Sequence, residues 1–467
     1  MLHLIGIRRK TRFRVDTMHP TAPTTGDPMP APLMHVDTPA TLPAQADVVV
    51  IGGGIVGTAA AFFLAERGLS VALVEKGRVG AEQSSRNWGW CRQQNRDARE
   101  LPMSTKSLAL WEHLTAATGQ DLGFRRCGLL YLSNDPAEID GWARWCGFAR
   151  ELGVISHPLT AAEATARGRA TGRDWKGGVF SPSDGVADPE RAVPLIARAL
   201  AQRGGAVLQS CAARGLELAG GRVAGVVTER GTIRTRTVVL AAGAWASSFC
   251  RQYGVRFPQA SIRSSILSVA EGAALPDALH TAQVSVTRRG RGHTLAISGR
   301  ARVDVTPQQL RFATSFVPMF VRRRRSLAPG GLEGLRSGHE TLARWSLDRP
   351  TPMEARRILD PKVDRSQIAE TLRRARALFP DLANVPMTAS WAGYIDSTPD
   401  GVPAIGELAE VPGLILAAGF SGHGFGIGPG AGHLIADLVT GATPIVDPSP
   451  YHPARFARSA WGKVADF

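Results

Sequence analysis

The sequence predicts an α/β fold in which a domain built on a parallel sheet is interleaved with a second, α+β domain built on a mixed or antiparallel sheet. The first observation is a βαβ pattern, with an apolar run at 47–51, an Ala-rich helical stretch at 56–67 and a second apolar run at 70–75. The second is that matching strand patterns return only at 237–242 and 413–419. Other material is therefore inserted between the parts of one parallel sheet.

The inserted segments have a different pattern, which predicts the second domain. Strands are expected at 129–133 and 294–298, and helices at 143–152 and 365–379. A chain of 467 residues is also too long for a single core, which favours two domains. The predicted boundaries are 1–45 for a disordered leader, 46–100, 176–255 and 384–450 for the first domain, 101–175 and 256–383 for the second, and 451–467 for a C-terminal tail.

The formal net charge of +15 at pH 7 raises the question of a nucleic-acid partner. The arginines that dominate this charge are spread along the chain, and no basic run is interleaved with aromatic residues. The composition therefore favours a basic protein surface and no nucleic-acid binding. The one dense cluster, Arg322–Arg325, is compatible with the exposed face of a helix or with a dock for an anionic group.

The cysteines argue for a reducing compartment. They are widely spaced, form no C-x-x-C pair and are odd in number, which disfavours a disulfide framework or a structural zinc site. No metal site is predicted, and a cytoplasmic location is expected. No run of about 18 apolar residues exists, so no transmembrane helix is expected, whereas peripheral membrane contact and the oligomeric state stay open. The five cysteines are Cys91, Cys127, Cys146, Cys211 and Cys250.

A glycine-rich turn joins the first strand to the first helix and has the G-x-G-x-x-G pattern of a Rossmann-like domain. The first glycine permits a tight turn, the second lets a pyrophosphate approach the backbone, and the third lets the helix pack on the strand. An acidic residue at the end of the second strand would accept hydrogen bonds from a ribose. This unit alone does not distinguish NAD from FAD. The residues predicted to bind the dinucleotide here are Gly52, Gly54, Ile55, Val56, Gly57, Glu75 and Lys76.

Four further segments resemble the D-amino-acid oxidase superfamily of flavoenzymes, which includes glycine oxidase, sarcosine oxidase and D-amino-acid dehydrogenase. The S-S-R-N-W-G segment at 84–89 matches the family's S/T-S-x-x-x-G loop. The segment 238–245 resembles the strand that ends in A-x-G beside the cofactor, and C-A-A at 211–213 resembles the strand that meets the adenine. The G-F-S-G-H-G-F segment at 419–425 is close to the signature of the sarcosine oxidase branch.

The resemblance implies that the first domain binds FAD. It also implies that a helix from about Gly430 to Val439 points its N-terminus at the N1–C2=O edge of the flavin, where it would stabilise the negative charge of the reduced form. The implied additional FAD contacts are Ser84, Ser85, Arg86, Asn87, Gly89, Trp90, Ala213, Ala242, Gly243, Trp245, Gly422, His423, Gly424, Phe425, Gly426 and Ile427.

The sequence departs from the family at three positions. Ile395 stands where the glycine oxidase pattern has the Arg that clamps the substrate carboxylate, so Arg92 and the Arg322–Arg325 cluster become candidates for that role. Gly393 stands where the sarcosine oxidase branch has the Cys that holds the flavin, so FAD is predicted to be non-covalent. Gly426 replaces a Lys of that branch, and the way that branch handles its substrate therefore need not transfer.

The reaction implied by the resemblance is oxidation of an amino acid or secondary amine, with hydride transfer to flavin N5 and hydrolysis of the imine. Oxygen or another electron acceptor would complete the cycle. Three alternatives stay open: a flavin-dependent 2-hydroxy-acid or polyol-phosphate dehydrogenase, an NAD-dependent dehydrogenase that uses only the βαβ unit, and an FAD-binding subunit of a multi-subunit amine dehydrogenase. The candidate catalytic residues are Tyr394, His423, Trp90 and Arg92.

Overall fold

A computed structural model of the chain describes residues 31–38, 40–458 and 464, except for the side chains of residues 336 and 337. The strands are β1 (Val48–Ile51), β2 (Val71–Val74), β3 (Trp90–Cys91), β4 (Leu129–Ser133), β5 (His157–Leu159), β6 (Gly177–Ser181), β7 (Gly185–Val186), β8 (Ala206–Leu208), β9 (Ala213–Ala219), β10 (Arg222–Thr228), β11 (Gly231–Arg234), β12 (Thr237–Leu240), β13 (Ala260–Val269), β14 (Ala278–His280), β15 (Ser285–Arg289), β16 (Gly292–Ala296), β17 (Ala301–Val303), β18 (Leu327–Pro329), β19 (Met387–Ser397), β20 (Ala404–Glu407) and β21 (Leu414–Ala418). The α-helices are α1 (Ile55–Glu66), α2 (Gln83–Arg86), α3 (Leu101–Thr118), α4 (Pro136–Glu151), α5 (Ala161–Arg167), α6 (Ala192–Gln202), α7 (Ala246–Gln252), α8 (Pro307–Phe312), α9 (Val317–Arg323), α10 (Glu333–Ser337), α11 (Pro352–Ala355), α12 (Arg365–Leu378), α13 (Gly424–Thr440) and α14 (Arg455–Arg458).

The predicted parallel sheet is confirmed. Its strand order is β20-β21-β12-β1-β2-β8, and every neighbouring pair is parallel except the edge pair β20–β21. The central strand β1 is fully buried, because helices α1, α6 and α13 cover one face of the sheet and the three-stranded sheet β11-β10-β9 packs on the other. Three segments far apart in the sequence therefore build one sheet, as the returning strand patterns indicated.

The second sheet has ten strands and is mainly antiparallel, in agreement with the predicted α+β domain. Its order is β18-β17-β13-β16-β15-β14-β4-β6-β5, with β19 also paired to β13. The long β13–β19 pair forms its spine and runs from Ala260 opposite Ser397 to Val269 opposite Met387. The strand expected at 129–133 is β4, and the one expected at 294–298 begins two residues earlier as β16.

The expected domain boundaries require three corrections. The strands β6 and β19 fall in segments assigned to the first domain but pair within the ten-stranded sheet, because apolar alternation does not reveal which sheet a strand joins. The leader was expected to be disordered to residue 45, yet Ala31 and Val36 are buried and the N–H of Met34 donates to the carbonyl of Glu190. Residues 1–30 of that leader lie outside the described residues.

The helix expected from Gly430 begins six residues earlier, at Gly424. Its glycines resemble a flexible loop in the sequence, but here they allow α13 to pack closely on α1. A Cβ atom at Gly428 would lie 2.6 Å from Ile55, and one at Gly432 would lie 2.7 Å from Ala59. Because both contacts advance by four residues in the same direction, α1 and α13 run parallel and their N-termini lie at the same end.

This close contact predicts a loss of stability when a methyl group is added. Gly432→Ala should destabilise the fold by about 1–3 kcal/mol, because neither Ala59 nor the helix backbone beside it can move away easily. Thermal unfolding of the FAD-loaded protein would measure the effect. Gly147→Ala is the matched control, since Gly147 lies in α4 with no atom within 4 Å of the added Cβ. Equal unfolding temperatures for the two variants would contradict the prediction.

Candidate active site

A solvent-open cleft of about 830 Å³ lies at the end of the parallel sheet where α1 begins. It contains nine of the residues predicted to bind the dinucleotide and several that the sequence did not single out, among them Gln83, Met353 and Asp396. The lining residues are Ile51, Gly52, Gly53, Gly54, Val74, Glu75, Lys76, Arg78, Gly80, Ala81, Glu82, Gln83, Ser84, Ala213, Ala241, Ala242, Gly243, Ala244, Trp245, Phe249, Met353 and Asp396.

The three glycines of the turn have different steric surroundings. Gly52 has φ +108°, and a Cβ there would lie 2.4 Å from the carbonyl oxygen of Ala241. A Cβ at Gly57 would lie 2.0 Å from the carbonyl oxygen of Gly52, so the fold itself excludes a side chain at both positions. At Gly54 the only neighbour within 4 Å is the hydroxyl of Ser84, at 3.2 Å. The absence of a side chain at Gly54 therefore leaves room in the cleft that a closely approaching ligand can use.

The carboxylate of Glu75 shapes the turn from the end of β2. Its Oε2 accepts from the N–H of Gly53 at 2.8 Å, and its Oε1 accepts from the N–H of Gly77 at 2.7 Å. Burial raises the pKa of Glu75. Each oxygen keeps a second lone pair, so the carboxylate can still accept hydrogen bonds from ribose hydroxyls.

The start of α1 is a site suited to a diphosphate. Ser84 accepts from the N–H of Ile55 at 2.9 Å. The N–H groups of Val56 and Gly57 belong to the first turn, which has no acceptors within the helix, and the helix dipole adds partial positive charge there. Lys76 is held at the rim by an ion pair with Glu82 and lies 4.8 Å from the ring centre of Trp245.

Several buried polar atoms near the cleft have no hydrogen-bond partner among the described residues. The acceptor Oε1 of Gln83 and the donor Nε1 of Trp245 belong to residues that line the cleft. Nη2 of Arg86 and Nε1 of Trp90 are buried in the same way. Buried polar groups are rarely left unpaired in folded proteins. A polar cofactor in the cleft would provide partners, so the residues present fit FAD.

The predicted loop 84–89 mostly stabilises itself and its neighbours. Nη1 of Arg86 donates to the carbonyl of Ala392 at 2.6 Å, and Asn87 donates from Nδ2 to the carbonyl of Ser84 at 2.8 Å. Ser85, within the loop, is fully buried. Gly89 has φ +86°, and a Cβ there would lie 2.4 Å from the Ala187 carbonyl. These side chains position the loop rather than line the cleft.

The N-terminus of α13 carries the predicted segment 422–427. Its N-cap residue, His423, donates from Nε2 to the buried carboxylate of Glu100 at 2.7 Å. Burial lowers the pKa of His423, and the charge of Glu100 only partly opposes this shift. The ring of Phe425 lies 5.3 Å from that of Trp111, and Ile427 is buried in the hydrophobic core that α1 and α13 share. Gly426 packs against the Trp90 backbone, where a Cβ would lie 2.6 Å from its carbonyl oxygen.

The contact at Gly426 connects the N-terminus of α13 to Trp90 on β3. The ring of Trp90 lies 6.3 Å from both Tyr131 and His280, and Arg92 follows two residues later. Burial and then the positive charge of Arg92 lower the pKa of His280 to about 4, so this imidazole is neutral at pH 7. Trp90, Arg92 and His423 are therefore neighbours, and the described lining of the cleft does not include them.

Positive charge accumulates around Arg92. Burial and then Arg92 lower the pKa of Arg96 to about 9. At the end of α9, desolvation of the guanidinium and then the charges of Arg322 and Arg92 lower the pKa of Arg323. Arg92 and the Arg322–Arg325 cluster are the two candidates for binding the substrate carboxylate. They therefore lie close enough to interact electrostatically.

Tyr394 has a different location. Its ring lies 4.5 Å from the tilted ring of His339, which in turn lies 6.2 Å from Trp245, so Tyr394 belongs to the buried core beside the cleft. Neighbouring strand residues point to opposite faces, and Ile395 contacts Gly422, where a Cβ would lie 3.3 Å away. The structure therefore places Ile395, and not Tyr394, at the start of the 422–427 segment.

Sequence reasoning missed a buried network centred on Asp396. Its Oδ2 accepts from the N–H of Gly419 at 2.7 Å and from Nε2 of Gln259 at 3.1 Å. The same Gln259 amide donates to the carbonyl of Gly243 at 2.9 Å. This network ties together the ends of β12, β19 and β21. The only sequence signal for this network is that an acidic residue, Asp396, closely follows the aromatic residues of β19.

Comparison with known proteins agrees with this geometry. The family model described as FAD dependent oxidoreductase, DAO, matches residues 47–438. Glycine oxidase from Pseudomonas aeruginosa is 29% identical over 87% of this chain and 98% of its own length. Human mitochondrial sarcosine dehydrogenase is 27% identical over 90% of this chain, which spans 42% of that protein. The structure of L-amino acid deaminase from Proteus myxofaciens in complex with anthranilate superimposes with a TM-score of 0.87 at 29% identity, covering 91% of this chain and 96% of that one. The chain therefore belongs to the DAO family of FAD-dependent oxidoreductases.

Proposed function

We propose that this enzyme oxidises an amino acid or a secondary amine that carries a carboxylate, and that Arg92 binds this carboxylate. The observation that carries the proposal is the positive charge of Arg92 and Arg96, which acts on His423 at the N-terminus of α13, with Arg323 close enough to act electrostatically with Arg92. A carboxylate is a natural ligand for a guanidinium in a partly desolvated site. The structural relative that binds anthranilate, an aromatic carboxylate, supports a ligand of this class.

The residues that would hold FAD come from three parts of the cleft. The first-turn amides of α1, the carboxylate of Glu75 and the backbone of 242–243 surround the space beside the glycine turn. The proposal takes FAD as non-covalent, because Gly393 stands at the position of the flavin-linking cysteine and Cys91 is fully buried. When bound, FAD supplies the acceptor for the hydride that leaves the substrate carbon.

The protein's own contribution is to position and desolvate the substrate. Arg92 would fix the carboxylate, while Trp90 and Tyr131 provide an apolar wall for the remaining part. The neutral His423 holds the start of α13 through Glu100, so that helix amides and the dipole face developing negative charge. Because the five cysteines are free, we place this activity in a reducing, cytoplasmic compartment. The electron acceptor is oxygen or another oxidant.

The proposal predicts which compounds reduce the enzyme. Anaerobic mixing of the FAD-loaded protein with amino acids and N-methyl amino acids should bleach the visible absorbance of the flavin, because these compounds combine a carboxylate with an oxidisable amine. The matched compounds are the corresponding 2-hydroxy acids and the amines without a carboxylate. Bleaching by hydroxy acids alone would show that the chain is a hydroxy-acid dehydrogenase and would overturn the amine assignment.

Replacement of Arg92 tests the carboxylate contact. Arg92→Gln should raise KM for the amino-acid substrate by about ten-fold or more, because a charge-assisted hydrogen bond is lost, and should change kcat less. For an amine that lacks the carboxylate, Arg92→Gln and wild type should behave alike. Arg222→Gln, an exposed arginine on β10, is the matched control. A fall in kcat with unchanged KM would assign Arg92 another role.

Gly54→Ala tests the cofactor cleft. The added methyl group meets only the Ser84 hydroxyl within the protein, so the variant should fold normally but bind FAD about ten-fold or more weakly. Fluorescence titration of apoprotein with FAD would measure the dissociation constant, and circular dichroism would check the fold. Gly147→Ala again serves as the control. Unchanged FAD affinity in Gly54→Ala would place the diphosphate elsewhere.

A further inference from the structure

Exposed apolar side chains are concentrated in one segment of the second domain. Most of the exposed large hydrophobic residues in the described part of the chain lie within 305–342, and those elsewhere are Leu152, Ile155, Leu218 and Met387. Leu310 is 69% exposed and Phe320 is 55% exposed. Single exposed apolar residues are ordinary, but a contiguous group of them marks an interaction surface.

Helix α9 contributes most strongly to this group. None of its residues is buried, although it contains Val317, Phe320 and Val321. Their spacing of three and four residues places these side chains on one face of the helix. A helix with an apolar face is normally stabilised by burying that face. Here the described part of the chain does not cover it.

The residues just before α9 make buried contacts with the rest of the protein. Phe312 is almost fully buried, and Arg256 lies over its ring and donates to the hydroxyl of Ser315 at 3.2 Å. Gln309 donates to the carbonyl of Ser261 on β13 at 2.6 Å. The segment is therefore fixed to the ten-stranded sheet on one side and presents apolar groups on the other.

The charge of the segment restricts what can cover it. From 305 to 342 the sequence contains Arg311, the Arg322–Arg325 cluster and Arg336 against two acidic residues, Glu333 and the buried Glu340. Arg322–Arg325 are all exposed as whole residues, although neighbouring atoms partly desolvate the guanidinium of Arg323, and they follow directly on the apolar face. Apolar residues flanked by several arginines match the interface of an anionic bilayer, because the apolar groups enter the lipid boundary and the guanidinium groups meet phosphates.

We propose that Leu310, Val317, Phe320, Val321 and Arg322–Arg325, here called the apolar–basic surface, dock the enzyme on an anionic phospholipid membrane. The contact is peripheral, because no helix in the described part of the chain is long and apolar enough to cross a bilayer. The docked face adjoins the candidate substrate site, since Arg323 lies close enough to Arg92 for the charge of Arg92 to lower its pKa. Substrate and electron acceptor would then reach that end of the site from the membrane side.

Vesicle co-sedimentation of the full-length FAD-loaded enzyme tests the proposal. Binding is expected to vesicles of equal parts phosphatidylcholine and phosphatidylglycerol, to be weak on pure phosphatidylcholine, and to fall with added salt. Phe320→Ser with Val321→Ser should lower the partition coefficient about ten-fold or more. Arg324→Glu with Arg325→Glu should lower it roughly five-fold or more for each arginine removed.

Matched controls separate this surface from the general positive charge. Leu152→Ser with Ile155→Ser removes comparable exposed apolar groups, and Arg222→Glu with Arg236→Glu makes the same change in net charge elsewhere. Both controls should bind vesicles like wild type, and all variants should retain FAD. Equal losses in test and control variants, or no binding to anionic vesicles, would overturn the proposal. A concentration-dependent dimer in sedimentation velocity that only Phe320→Ser with Val321→Ser abolishes, without vesicle binding, would instead assign the surface to self-association.

Discussion

The parallel contact between α1 and α13 is the constraint on which the active site depends. Gly428 against Ile55 and Gly432 against Ala59 bring two helices together with their N-termini at the same end. Parallel dipoles repel each other, and their exposed first-turn amides need acceptors. Negatively charged groups placed at that end relieve both effects. The sequence resemblance implies a diphosphate at the start of α1 and the negative charge of the reduced flavin at the start of α13, and these groups would act in this way.

At the buried charged groups around Arg92, the cost of burial likewise opposes the gain from hydrogen bonds and ion pairs. Asp184 accepts from the N–H groups of Gln93 and Gln94, yet burial raises its pKa to about 6. Glu100 pairs with His423, while the pKa of Arg96 is lowered to about 9. Asp184 also interacts with the positive charges of Arg92 and Arg96, which partly oppose the rise in its pKa. Within the described part of the chain, Arg92 donates a hydrogen bond to the carbonyl of Gln94 and none to a carboxylate. Under the proposed function, the carboxylate of the substrate adds a hydrogen-bonded negative charge to that of Asp184.

The sequence predicted those parts of the fold that depend on local patterns. Strand β1, helix α1 and strand β2 were found within one residue of their observed ends because apolar runs and glycine positions are local signals. The start of α13 was misplaced because Gly424–Gly430 disfavour a helix locally, whereas packing against α1 and α3 requires those glycines. The sheet membership of β19 and the Asp396 network depend on partners far away in the chain, which periodicity does not reveal.

Strand β19 explains how Ile395, in place of the arginine of the glycine oxidase pattern, changes the way the substrate carboxylate can be bound without changing the fold. Alternation along the strand sends Tyr394 towards His339 in the core and Ile395 towards Gly422. An arginine at 395 would therefore reach the start of the 422–427 segment, as the glycine oxidase pattern implies. With Ile395 that point is apolar, and the positive charges that act on His423 in this segment come from Arg96 and Arg92. Under the proposed function the substrate is therefore oriented by its carboxylate from the side of β3 and α9, which is also the side that carries the apolar–basic surface.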